Sequence, residues 1–130
     1  MTYTKRAERE DDFETVVEET IDALEDEGFG VLTDVDVQDT MREKLDEDMD
    51  QYRILGACDP STAFAGLQED PALGALLPCN VAVREREDGT VVVDAIAPTA
   101  LLGLAENEDL EAAVDGVDER FDRVVESVRA

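Results

Sequence analysis

The chain contains no histidine and no tryptophan, and only two cysteines and two lysines, Lys5 and Lys44. Each shortage closes a class of chemistry. Without histidine the commonest general base is missing, and with it go the Ser-His and Cys-His nucleophile pairs and the commonest zinc ligand. Two cysteines are too few for a secreted disulfide scaffold, and in a reducing cytosol they are expected to rest as thiols. Positive charge is scarce: 11 Lys and Arg stand against 35 Asp and Glu, a formal charge of −24. Affinity for a phosphate backbone comes from Lys and Arg displacing counterions, so no nucleic-acid partner is expected. Long apolar runs are missing too. The longest, Ala95 to Leu104, is about half the roughly 20 residues that span a bilayer and is broken by Pro98. The opening Met-Thr-Tyr-Thr-Lys-Arg lacks the apolar core of a signal peptide. A cytoplasmic protein without a membrane partner is expected.

What is present is enough for a core. Hydrophobic residues make up 43% of 130 residues, which separates the chain from disordered acidic tails, and the length suits one domain over residues 1–130. A compact body with this charge repels itself at low ionic strength, whereas molar salt cuts the screening length to about 3 Å. The acid-rich, lysine-poor balance looks like that of cytoplasmic proteins from extreme halophiles.

Periodicity places the elements. Thr2 to Glu8 suits a short edge strand. From Asp11 onward, Phe13, Val16, Val17, Thr20, Ile21 and Leu24 recur at helical spacing, with Asp11 or Asp12 as cap and Gly28 as stop. Phe29, Val31 and Val35 predict a second strand with Leu32 partly covered, then a short helix capped by Asp36 and carrying Val37, Met41 and Leu45. Tyr52 to Cys58 reads as a third strand running into Asp59-Pro60, an aspartate cap before a proline at the first helical position. Ala63, Phe64 and Leu67 give that helix an apolar face. Ala72 to Leu77 is expected as a compact buried turn. Cys79 to Arg86 and Thr90 to Ile96 alternate around Asp88-Gly89, a two-residue hairpin signal. Pro98 to Leu104 predicts a helical turn, and Asn107 caps a last helix whose stripe runs from Leu110 through Ala113, Val114, Val117, Phe121, Val124 and Val125 to Val128. The predicted fold is α+β: a two-layer sandwich with an antiparallel or mixed sheet and helices on one face.

Three stretches, Gly28-Phe29-Gly30-Val31, Tyr52-Arg-Ile-Leu-Gly-Ala-Cys-Asp-Pro60 and Asp70-Pro-Ala-Leu-Gly-Ala-Leu-Leu-Pro-Cys-Asn-Val-Ala-Val83, resemble the family called domain of unknown function 302. The resemblance runs over nearly the whole chain. It implies a β-α-β(4)-α sandwich of TATA-binding-protein-like shape and a tendency to form a homodimer, and no established activity. Asp59 stands where the family pattern carries asparagine. Both residues cap helices.

Candidate chemistry is sparse. No phosphate-binding Gly-Lys loop occurs, and Gly28-x-Gly30 is too short for a dinucleotide turn. Asp34-Val-Asp36-Val-Gln38-Asp39 resembles the start of a calcium loop but has Asp39 where glycine is needed and Leu45 where the closing glutamate belongs. No cofactor and no metal are expected. Cys58-Asp59-Pro60 and Pro78-Cys79-Asn80 are the candidate ligand-binding walls, with Tyr52 and Arg53 flanking them. Two readings stand at this point. In one, a non-catalytic homodimeric domain binds a small ligand or a partner between these walls. In the other, a thiol-dependent redox or sulfur-handling enzyme attacks with Cys58 and resolves with Cys79. Free cysteine is also among the most buried residue types, so the pair can equally be core.

Overall fold

A computed structural model of the chain describes residues 3–102 and 108–129, with side chains at 101–115 outside the described set. The elements are β1 (Thr4–Arg9), α1 (Phe13–Asp26), β2 (Gly30–Asp36), α2 (Val37–Leu45), β3 (Tyr52–Cys58), α3 (Pro60–Glu69), a 3₁₀ segment (Pro71–Leu76), β4 (Cys79–Glu85), β5 (Val91–Ile96), α4 (Pro98–Leu102) and α5 (Glu108–Arg129). The strands form one sheet in the order β1-β5-β4-β3-β2, antiparallel at every step. This is the α+β sandwich that the periodicity predicts.

Alternation along the strands decides which face is the core. Ala7, Leu55, Ala57, Cys79, Val81, Val83, Val91, Val93 and Ala95 share one face and are buried there. α1 covers them with Phe13, Val16, Val17 and Leu24, and α5 with Val117, Phe121, Val124, Val125 and Val128. Thr20 is buried among them at no cost in hydrogen bonding, because its hydroxyl donates to the Val16 carbonyl at 2.7 Å. Phe29 stacks on Phe121 at 4.8 Å between centroids, and the Arg120 guanidinium lies 4.5 Å above the Phe29 ring.

The termini of these elements follow their side chains. Asp12 accepts from the Thr15 amide, Asp36 from Asp39 and Asp59 from Ser61, each satisfying a donor that helix geometry leaves free. Gly28 turns the chain out of α1 at a φ of 88°.

Several expectations are corrected. A register shift between Val31 and Thr33 bulges β2 at Leu32, which is turned out to 64% exposure instead of being partly covered; Val35 is also exposed. Helix α3 does not bury its apolar stripe: Phe64 is 60% exposed and only Gly66 is buried. The segment after Pro71 is a 3₁₀ helix that buries Leu73 alone, not a sealed turn. The β4–β5 connection has three residues, not two. Arg86 pairs with Thr90, the Gly89 amide donates to the Arg86 carbonyl, and positive φ is needed only at Gly89. Asn107, Leu104 and the first apolar positions of the α5 stripe lie outside the described residues or side chains.

Candidate functional site

The face of the sheet opposite α1 and α5 carries the even-numbered positions of β3, β4 and β5. Part of it is roofed by the chain between α3 and β4. Gly56 makes this possible: a Cβ there would stand 2.2 Å from Thr33 Oγ1 and 2.8 Å from Pro78 Cγ. With only a hydrogen at Gly56, Pro78 rests against the sheet, and Ala75, Leu76 and Leu77 are held above it. A cleft of about 420 Å³ remains between them. Its floor is Thr4 of β1, Asp94 and Ile96 of β5, and Asn80 and Ala82 of β4. Tyr3 and Tyr52 also line it.

The lining changes character along its length. Ile96 and Asn80 lie toward the end roofed by Pro78, where the walls are largely hydrocarbon. Two residues further along the strands stand Asp94 and Ala82, cross-strand partners, and then Tyr52, whose partner on β4 is Arg84. Asp94 accepts from Arg6 Nε at 2.7 Å and Nη2 at 3.4 Å, and from Arg84 Nη2 at 3.4 Å. Its side chain is 12% exposed, and that of Arg84 is 29% exposed. Val92 is buried on this face between its cross-strand partners Glu8 and Arg84.

Of the residues singled out in the sequence, Tyr52, Pro78 and Asn80 line the cleft; Arg53, Cys58, Asp59, Pro60 and Cys79 do not. The end of β3 does lie beside the start of β4, with Ala57 paired to Cys79. Alternation then separates the sulfurs: Cys79 joins Ala57 in the core, and Cys58, one residue on, is carried to the other face. Both thiols are held protonated. Burial pushes Cys58 up, helped by the adjacent Asp59 charge, and burial pushes Cys79 up to about 11, with Cys58 adding to it. This is the reverse of what an attacking thiolate needs.

Asp59 and Arg53 have structural partners. Partial burial raises the Asp59 carboxyl, but hydrogen bonds from Arg120 and Thr62 outweigh it and hold the group below the usual carboxylate range. Arg120 Nη2 reaches Asp59 at 2.7 Å, while its Nη1 donates to the Glu27 carbonyl at 2.9 Å. Asp59 thus caps α3 and ties it to α5. Arg53 sits on the core side of β3, bonded to Asp34 and, at 3.2 Å, to Glu14 of α1. It flanks no cleft.

The sequence does not single out Tyr3, Thr4, Ala82, Asp94, Ile96 or the roof residues Ala75, Leu76 and Leu77. One signal was available: Asp94 is the single charge in Val91-Val-Val-Asp-Ala-Ile96, an acid inside an otherwise apolar strand.

No helix among the described residues is long and apolar enough to cross a membrane. A solved structure described as that of the uncharacterized conserved protein DUF302 from Bacillus stearothermophilus matches with a TM-score of 0.90 at 25% sequence identity, covering 99% of this chain and 100% of that one. Among curated proteins none matches. The family described as Domain of unknown function DUF302 matches residues 3–128, nearly the whole chain, and this chain belongs to that family.

Proposed function

We propose that the protein is a non-catalytic binding domain that takes a small molecule in the cleft on the open face of its sheet. The cleft carries this reading. Its volume of about 420 Å³ falls within the range of small-molecule sites, and an apolar wall faces a few hydrogen-bonding groups, the usual composition of such sites. Neither cysteine lines it, and the raised thiol values weigh against the redox alternative.

The same reading makes the protein a cytoplasmic homodimer suited to high salt. The formal charge of −24 supports the salt preference. Leu32 and Val35, exposed on the edge strand β2, support self-association, because such an edge offers free backbone groups and apolar side chains together. A dimer mass by light scattering in molar salt is expected, and a clean monomer speaks against that part.

Binding is tested with the neutral dye Nile red in molar potassium chloride. Saturable emission at one dye per chain is expected, and Ala82→Phe, which fills the floor, abolishes it while the far-ultraviolet circular dichroism stays native. Emission that does not saturate, or that survives in the folded variant, ends the proposal.

A further inference from the structure

The cleft has an apolar end and, towards the other, Asp94 as the one charged residue of its described lining, in a chain whose acids outnumber its bases threefold (35 against 11). Two guanidinium groups just outside the lining share that carboxylate. Arg6 holds Asp94 at 2.7 Å, with its second contact at 3.4 Å, whereas Arg84 reaches the same carboxylate only at 3.4 Å. Arg6, Arg84 and Asp94 together leave one positive charge over, and that charge resides on the less engaged partner. The neighbouring Arg86 is matched by Glu8 and adds no excess.

Arg84 is also placed to be read by a ligand. It stands directly opposite Tyr52 and two residues after Ala82, which both line the cleft, and it is the cross-strand partner of buried Val92. A guanidinium is a planar fork that can hold a carboxylate through two parallel hydrogen bonds. The Asp94 charge does not forbid an incoming anion, because Arg6 already neutralises it. From beside Arg84 the cleft runs past Ala82 to Asn80, Ile96, Leu77 and Pro78, which offer hydrocarbon and one neutral amide to a chain and no charge to a second ionic group.

Resting on the reading of this cleft as a small-molecule site, we propose that its ligand is an amphipathic monocarboxylate, a carboxylate head on Arg84 with an apolar tail under the Leu76–Pro78 roof. The long-range field of the acidic surface opposes any anion, but molar salt confines that field to about 3 Å, leaving the contacts inside the cleft to decide.

Octanoate and octan-1-ol, which share a tail and differ in the head, are titrated by calorimetry in molar potassium chloride. Octanoate binds at least tenfold more tightly to the unaltered chain. Arg84→Gln removes this preference without changing the octan-1-ol affinity, and Arg84→Lys keeps part of it. Equal affinities, a preference that survives Arg84→Gln, or a failure of octanoate to bind while Nile red still occupies the cleft overturns the carboxylate assignment and leaves the cleft reading intact. If Nile red fails as well, both fall.

Discussion

At the scale of single residues, Gly56 matters most to the cleft, and for a steric reason. Any side chain there collides with Thr33 and Pro78, so Gly56→Ala must push the proline off the sheet or shift β2. Overpacking of this kind costs about 1–3 kcal/mol. We expect Gly56→Ala to lower stability to denaturant by that amount and to weaken Nile red binding. Gly74→Ala serves as the control, since a Cβ there meets Leu67 only at 3.9 Å; equal stability losses would refute the steric account. The thiols make a second residue-scale case. With Cys79 pushed up to about 11 by burial, its thiolate fraction near neutral pH falls by about a hundredfold relative to an ordinary cysteine. Iodoacetamide followed by mass spectrometry should label Cys79 that much more slowly in the native protein than in denaturant, with Cys58 between the two. Equal rates in native and unfolded protein would revive the nucleophile reading.

At the scale of elements, the Asp59–Arg120 tie couples α3, which buries little of its own, to the long helix α5. Asn can still cap a helix, so Asp59→Asn removes the charge and spares the cap. With both partners about a fifth exposed, at 19% and 22%, the loss should be about 1 kcal/mol at neutral pH, below the value for a fully buried charged hydrogen bond. The pH dependence follows from the direction of the shift. The folded carboxyl titrates below its unfolded value near 3.9, so its contribution is complete above that value and is lost as pH falls through the folded one. Stability curves of the parent and Asp59→Asn proteins, measured in molar salt, should therefore converge below about pH 4; a constant gap would exclude the tie. These elements also mark what a sequence can reveal. Caps at Asp12, Asp36 and Asp59, the strand Tyr52–Cys58 and the buried stripe of α5 were legible because each is set by local chemistry or by a period of two or 3.6. The bulge at Leu32, the exposure of Phe64 and the distance of the thiols from the cleft were not. They depend on which strand lies beside which and on which face a residue meets after a one-residue shift. Only three of the eleven cleft residues, Tyr52, Pro78 and Asn80, were legible for the same reason: they lie on or beside strands that the local pattern marks, whereas Thr4, Asp94 and Ile96 become neighbours only when β1 and β5 pair.

At the scale of the whole molecule, charge is the unresolved term in the balance. The 11 cations offset 11 of the 35 acids in charge, so a net excess of 24 negative charges (35 less 11) stays uncompensated whatever the pairing. Added salt acts on both sides of this balance. It weakens exposed ion pairs such as Arg42–Asp48, each worth about 0–1 kcal/mol, and it screens the repulsion among the excess acids. The repulsion involves more charges and reaches further, so screening it should win. We expect the thermal midpoint to rise with potassium chloride, steeply up to a few tenths molar, where the screening length drops below about 10 Å, and more slowly beyond it. Tetramethylammonium chloride at the same ionic strength separates screening from specific ion binding: equal gains in both salts identify screening, and a gain confined to potassium identifies bound cations. A midpoint that falls as either salt is added would mean that the paired charges, not the excess ones, govern the folded state, and the high-salt reading would fail with it.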